Sequence, residues 1–171
     1  MLKLVPKYLL SERPFRQFSL DSHPVDSRRQ KIGVVLKKID IREVLSQELS
    51  VHGAVEGENL SQRGPEIPIP AKQAQVLSMA IHELATNAVK HGALSVENGR
   101  IEISWDAHVH SNGKELRLRW RERGRPIAHE PVRRGFGSEF LEKSVPHMLH
   151  GQFKRTFRSD GVECTLSFFL D

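Results

Sequence analysis

The sequence predicts an α+β domain, a two-layer α/β sandwich in which a mixed sheet carries its helices on one face. Three observations predict this fold class. A long amphipathic helix lies in the middle of the chain, at residues 71–94, and two stretches of alternating apolar residues follow it, at 101–120 and 153–168. Each alternating stretch has a turn signal near its centre, which is typical of a β-hairpin. Helices and hairpins in this order favour packing of the helices against one face of a sheet.

The composition is that of one soluble globular domain. The 171 residues are 38% hydrophobic and 27% charged, and no apolar run approaches the roughly 20 residues of a membrane span. The single cysteine, Cys164, permits no internal disulfide, which fits a reducing cytoplasm. Because Cys164 lies in an apolar alternation, we interpret it as a core residue. The net charge of +5 allows acidic partners, but the scattered cations do not form the stripe that nucleic-acid binding needs.

The first 36 residues carry prolines and charges without periodicity. We interpret them as an N-terminal arm or the remnant of an upstream region, in which residues 32–36 could form a short strand. Asp40 is a predicted N-cap, with Glu43 three residues later as in a capping box. It opens a predicted amphipathic helix that runs to about Val51.

Three pairs of short segments are predicted strands, each pair separated by a turn. They are 56–62 and 66–69 around a turn at 63–65, 101–105 and 116–120 around a turn at 111–113, and 153–157 and 162–168 around a turn at 159–161. Arg117, Arg119 and Arg121 alternate with the apolar residues of the second pair. We expect these arginines to line the solvated face of the sheet.

The central helix is predicted from Ala71 to Leu94. Pro70 suits a first helical position, and Gly92 suits a left-handed C-terminal cap. One side of this helix is an apolar stripe that should face the core: Leu77, Ala80, Ile81, Leu84 and Ala88.

Another side of the central helix brings together Glu83, Asn87 and Lys90, because residues three, four and seven apart share a helix face. A carboxylate can orient a water or a hydroxyl, a carboxamide oxygen can bind Mg²⁺, and an ammonium group can contact phosphate. The three side chains therefore indicate a metal–nucleotide site. The same pattern also fits an ordinary solvated helix face.

Residues 120–137 have glycines at both ends, internal prolines and almost no apolar pattern, which predicts a loop long enough to act as a lid. Gly135-Phe136-Gly137 then leads into a predicted helix, which Pro146 should end or kink. Glycines before a helix leave bare N–H groups at its positive end, where a phosphate could bind. An ordinary glycine turn is the alternative.

The stretch H-E-L-A-T-N-A-V-K-H-G-A-L-S, residues 82–95, resembles the N-box of a known superfamily of ATP-binding domains. Sensor histidine kinases, gyrase-type ATPases and Hsp90-type chaperones share this domain. Within the superfamily the chain most resembles the HWE histidine kinases, which are named for an N-box histidine and a W-x-E motif. Here those positions are His82 and Trp120-Arg121-Glu122.

Two later stretches extend the resemblance. Residues 135–142 are similar to the second glycine box, and residues 159–168 are similar to the closing strands of the domain. The resemblance covers about residues 37–170. It implies the Bergerat-type ATP-binding fold for a domain at 37–171, with ATP and Mg²⁺ as ligands.

The resemblance also implies a role for each matched residue. Asn87 would hold Mg²⁺ against the triphosphate, and Glu83 would position or activate the attacking group. Lys90 and His91 would reach the phosphates. Glu122 would accept a proton of the adenine amino group and so select the base.

The matched glycines, Gly124, Gly135 and Gly137, would let the lid pass close to the nucleotide, with Phe136 between the last two. His82 marks the subfamily and would shape the catalytic site. We do not take His82 to be the phosphorylated histidine.

The chain also departs from the family pattern. Arg125 stands where the first glycine box carries a second glycine, and it could either crowd the adenine edge or reach a phosphate as an extra cation. Val162 stands where other members keep a threonine near the base. Upstream, His23 precedes a proline and His52 precedes a glycine, so neither resembles a phosphoacceptor on a helix.

By resemblance, the function is that of a histidine kinase catalytic domain. It would transfer the γ-phosphoryl group of ATP to a histidine on another domain or chain, for relay to a response regulator, and a homodimer is one expected state. The chain would then be a fragment of a longer kinase or a stand-alone domain. Two alternatives stay open: a nucleotide-responsive module that regulates a partner without phosphotransfer, and a serine kinase of the anti-sigma-factor type.

Overall fold

The structure is a computed structural model that describes residues 38–126 and 135–171. The predicted arm, the strand within it and residues 127–134 of the predicted lid lie outside the described residues. The described elements are β1 (Lys38–Asp40), α1 (Ile41–Ser50), β2 (Leu60–Arg63), β3 (Pro68–Pro70), α2 (Ala71–His91), β4 (Arg100–His110), β5 (Gly113–Arg123), α3 (Phe136–Glu139), α4 (Val145–Leu149), β6 (Gln152–Arg158) and β7 (Gly161–Leu170). A short 3₁₀ turn, Ala93–Ser95, follows α2, and a π-helical turn, Phe140–Ser144, joins α3 to α4.

Five strands form one mixed sheet in the order β2-β4-β5-β7-β6. β2 runs parallel to β4, and the other neighbouring pairs are antiparallel. The two predicted hairpins are present as β4 with β5 and β6 with β7. Their apolar residues form one core together with the buried residues of α1, α2 and α4. The α+β fold class with a mixed sheet is therefore confirmed.

The two strands predicted before α2 are present, but they belong to different sheets. β2 pairs with β4, whereas β3 pairs with β1 in a separate antiparallel ribbon. The chain leaves β2 at Gly64, where a Cβ would lie 2.3 Å from Cε2 of Trp105. Nε1 of Trp105 then donates to the carbonyl oxygen of Pro65 at 2.8 Å. This contact directs the chain away from β2 and towards the start of α2.

α1 begins at the predicted cap. Oδ1 of Asp40 accepts from the backbone N–H of Arg42 at 2.8 Å, and Oδ2 accepts from the N–H of Ile67 at 2.9 Å. Asp40 therefore caps the helix and also attaches it to the segment before β3. Glu43 takes no part in this cap, since its Oε1 accepts from Nε2 of Gln47.

α2 buries the predicted apolar stripe, whose five members are at most 5% exposed. The helix ends at His91, three residues before the predicted end, and Gly92 has a φ of −117°. The prediction of a left-handed cap is therefore wrong. Gly92 is required for another reason, because a Cβ at this position would lie 1.8 Å from Oε2 of Glu122.

Two predictions about the end of β5 are wrong. The predicted loop does not begin at Trp120, because β5 stays paired to Arg123. Arg121 is not solvated, since its side chain is only 16% exposed and it binds Asp160 at 2.8 Å and Glu163 at 3.0 Å. These carboxylates come from the β6–β7 turn and from β7, and they neutralise the cation against the sheet.

Pro146 was predicted to end or kink the last helical segment, and it does not end it. The backbone is helical from Phe136 to Leu149, and the N–H of Val145 reaches back five residues to the carbonyl of Phe140. The wider π turn shifts the register, so that Pro146 falls in the first turn of α4, where its missing N–H costs little. Among the described residues, no helix is long and apolar enough to cross a membrane.

Candidate active site

The polar row of α2 has a defined hydrogen bond. Nδ2 of Asn87 donates to Oε1 of Glu83 at 3.1 Å, and both side chains are half-buried. The bond commits the amide nitrogen to Glu83. The amide oxygen has no hydrogen-bond partner among the described residues, and such an oxygen is the type of atom that a hard cation binds. Lys90 and His91, in the last turn of the helix, are exposed to solvent.

Gly137, the second glycine of the pair at the start of α3, lies directly against this row. A Cβ on Gly137 would lie 1.7 Å from Oε1 of Glu83, so only glycine allows this approach. Gly135, by contrast, has open space around it, and Phe136 between them is 87% exposed. The structure therefore brings the predicted second glycine box and the N-box acid together at one point.

Glu122 lies at the far end of α2 with only 5% exposure. Its Oε1 accepts from Nε1 of Trp120 at 2.9 Å, and its Oε2 accepts from the backbone N–H of Ala93 at 2.8 Å. Burial raises the pKa of this carboxyl, and the Ala93 amide, the Trp120 indole and the charge of Arg155 partly offset the rise. Trp120 and Glu122 are two residues apart on one strand, so both side chains face the core.

The segment after Glu122 turns back towards α2. Gly124 has a φ of +97°, and a Cβ there would lie 2.8 Å from the backbone oxygen of Asn98. Glycine is therefore required both by the backbone conformation and by the close approach of Asn98. Nη1 of Arg125 hydrogen bonds to Oγ of Ser95, in the 3₁₀ turn after α2. Val162 is half-buried in β7.

His82 lies in a cluster between α1 and α2, separate from the Glu83–Asn87 pair. Its Nδ1 is 3.2 Å from Oε2 of Glu48, and Oγ of Ser78 donates to Oε1 of the same carboxylate at 2.5 Å. The His52 ring packs edge-on against His82, with 4.9 Å between ring centroids, and its Nε2 is 3.2 Å from Oγ1 of Thr86. No local pattern predicts this cluster, because the residues from α1 and the turn after it lie about 30 positions before those of α2.

Arg155 is a further residue that the sequence did not single out. It lies on β6 in register with Cys164, and its Nη1 donates to Oγ of Ser138 at 3.1 Å. The guanidinium is also 3.9 Å from Oε1 of Glu142. Arg155 thus connects the sheet to the helical segment that follows Gly137. Cys164 itself is buried, which raises the pKa of its thiol to about 12 and confirms it as a core residue.

Comparison with known proteins relates this chain to bacterial sensor kinases. No protein-family model matches the sequence. A blue-light-activated histidine kinase of Brucella anthropi is 34% identical over 122 residues, which are 71% of this chain and 25% of that kinase. The chain therefore spans about a quarter of the length of this relative.

Solved structures give the same relation at the level of fold. The histidine kinase domain of the Erythrobacter litoralis EL346 blue-light-activated kinase has a TM-score of 0.58 and 20% identity, over 75% of this chain and 58% of that one. The catalytic domain of histidine kinase ThkA has a TM-score of 0.58 and 16% identity, over 78% and 94%. By sequence the chain therefore belongs to the histidine kinase family, and its described residues have the fold of that family's catalytic domain.

Proposed function

We propose that this chain binds ATP and Mg²⁺ along α2 and acts as the catalytic domain of an HWE-type histidine kinase. The observation that carries the proposal is the presence of two polar centres on one helix. Glu83, which is bonded to Asn87, lies against Gly137 at one centre, and Glu122 lies against Gly92 at the other. Gly92 follows Glu83 by nine residues, which is about 13 Å along an α-helix. An extended nucleoside triphosphate has this scale, with its phosphates at the first centre and its base at the second.

The donor atoms of the first centre suit a magnesium–phosphate group. The carboxamide oxygen of Asn87 and the carboxylate of Glu83 are hard oxygen donors, and the exposed side chains of Lys90 and His91 follow on the same helix. When bound, Mg²⁺ would neutralise charge on the phosphates. The bare backbone at Gly137 leaves room for the carboxylate of Glu83 at this centre.

Catalysis in this proposal is mainly positioning. Glu83, oriented by its bond from Asn87, accepts a hydrogen bond from the attacking histidine and aligns it with the γ-phosphorus. Arg125 bonds to Ser95, three residues after Gly92, so it borders the centre that would take the base, where it could crowd the adenine edge or reach towards the phosphates. Glu122 accepts from the amino group of adenine with the lone pairs that Trp120 and Ala93 leave unused.

The proposal includes the context of the domain. The catalytic domain would occupy residues 37–171, with residues 1–36 as an arm or upstream remnant, and it would work in the cytoplasm. The acceptor would be a histidine on another domain or chain, and a response regulator would receive the phosphoryl group from it. The name and length of the Brucella anthropi relative support this arrangement, since three quarters of that kinase lies outside the match.

Transfer chemistry tests the proposal. The chain is incubated with Mg²⁺, radiolabelled ATP and the part of the Brucella anthropi relative that lies outside the match. We expect label on that partner, lost in acid and kept in base, as a phosphohistidine behaves. Label that survives acid would indicate the serine kinase, and ATP binding without any label would indicate the regulatory module.

A further inference from the structure

The carboxylate of Glu122 is held from two sides by donors of this chain. An ionised carboxylate offers about four lone-pair positions, and Trp120 and Ala93 occupy one on each oxygen. The remaining positions can only accept a hydrogen bond. If the group took up a proton, it could instead donate one, so its protonation state decides which partner it recognises.

Purine bases differ in this respect. Adenine presents an amino group at its 6-position, which donates, whereas guanine and hypoxanthine present a carbonyl oxygen there, which accepts. We propose that Trp120 is a specificity-determining residue of the nucleotide site, whose indole N–H keeps Glu122 a pure acceptor and so selects 6-amino purine nucleotides over 6-oxo ones. This inference rests on the proposed ATP site. Trp120 acts through Glu122 and is therefore a positioning residue.

The surroundings of Glu122 explain why the indole matters. Trp120 is completely buried and Glu122 is 5% exposed, so bulk water has little access to replace a lost donor. Burial raises the pKa of the carboxyl, and the two donors oppose that rise. Of the other charged or titratable groups that the described structure places against it, the charge of Arg155 opposes the rise and Cys164 stays a thiol near neutral pH. Glu122 is therefore the group at this point that changes its charge as the pH falls.

The sign of the effect follows from these contacts. Removing the indole N–H raises the pKa of Glu122 further, so that the protonated, donating form appears at higher pH. A protonated Glu122 loses its preference for the adenine amino group and tolerates the 6-oxo group. The preference for ATP over ITP should therefore fall on acidification, and it should fall earlier when Trp120 is replaced.

The test measures dissociation constants of ATP and ITP by calorimetry between about pH 5.5 and 8. ITP differs from ATP at the 6-position, and the phosphates of both titrate alike, so their ratio isolates the base. The unmodified chain should prefer ATP by roughly 100-fold at neutral pH. In Trp120→Phe we expect the ratio to fall about tenfold and its pH midpoint to rise. The control is Trp105→Phe, since Trp105 is also buried on the same sheet face but donates to Pro65.

Each outcome decides the inference. Equal shifts in both tryptophan variants, or an unchanged ratio in Trp120→Phe, would overturn it while the ATP site stands. Equal binding of ATP and ITP by the unmodified chain would do the same. Binding of neither nucleotide would remove the proposed function and this inference with it. If Trp120→Phe does not fold, Glu122→Gln replaces it: we expect a pH-independent ratio reduced at least tenfold, and an unchanged ratio would overturn the inference.

Discussion

Replacing Gly92 by alanine should destabilise the domain through a single carboxylate. The new Cβ would lie 1.8 Å from Oε2 of Glu122 and 2.8 Å from Cα of Ala88, so Glu122 must move. Moving it breaks the bonds from Ala93 and Trp120 in a site with almost no access to water. Two hydrogen bonds to a charged group, at about 1.5–3 kcal/mol each, give a loss of roughly 3–6 kcal/mol. Nucleotide binding should be lost as well.

Urea denaturation of the unmodified chain and Gly92→Ala measures this loss as a change in midpoint at constant m. Gly135→Ala is the matched control for stability, because a Cβ there meets no atom within 4 Å and its φ of −79° suits any residue. In a Glu122→Ala background the cost of Gly92→Ala should shrink by at least about 2 kcal/mol, since the carboxylate is gone. A cost below about 1 kcal/mol, or the same cost in both backgrounds, would refute the argument.

Three further predictions concern the described contacts. Asp40→Ala removes the N-cap of α1 and the acceptor for the N–H of Ile67, so the unfolding free energy should fall by about 1–2 kcal/mol in urea denaturation. The control Asp106→Ala replaces an exposed aspartate and should change the unfolding free energy little. Arg119 and Arg121 lower the pKa of Glu163, so this carboxyl stabilises the fold above its unfolded pKa, and that stability is lost as the pH falls through its folded pKa. In Glu163→Gln the unfolding free energy should therefore fall less steeply below about pH 4.5, and an unchanged pH dependence there would refute this. Cys164 should react with a thiol reagent only at the rate of unfolding, because its thiol is buried with a pKa of about 12, and rapid labelling of the native chain would contradict the structure.

The sequence was sufficient for features that depend on local periodicity. The buried faces of α1 and α2 follow from helical spacing, and the two hairpins follow from alternation with a turn signal between the strands. The cap at Asp40 follows from residue type and position. These are interactions between residues a few positions apart, for which pattern and propensity carry the information.

What the sequence did not predict depends on contacts between distant segments. Gly92 suggested a left-handed cap because the approach of Glu122, 30 residues later, leaves no mark on the local pattern. The separation of β2 from β3 depends on Trp105, and the burial of Arg121 depends on Asp160 and Glu163. Arg155 occupies an apolar alternation, where its contact with Ser138 could not be foreseen.

Helical spacing predicted that Glu83 and Asn87 lie together, and the structure shows them bonded. Glu122 was singled out by its motif, without its partners. Trp120 was singled out as the first residue of the W-x-E motif, and the structure shows that its indole N–H donates to Glu122, the third residue of that motif. The spacing of two residues on a strand is the physical signal that could have suggested this contact.

The most direct test of the account is calorimetric titration of ATP into the chain with and without Mg²⁺, together with Asn87→Ala and the control Gln75→Ala. Gln75 is an exposed residue on the same helix and lies away from the Glu83–Asn87 pair. We predict Mg²⁺-dependent binding by the unmodified chain and by Gln75→Ala, and none by Asn87→Ala. Absence of binding by the folded, unmodified chain, or full binding by Asn87→Ala, would contradict the proposed site.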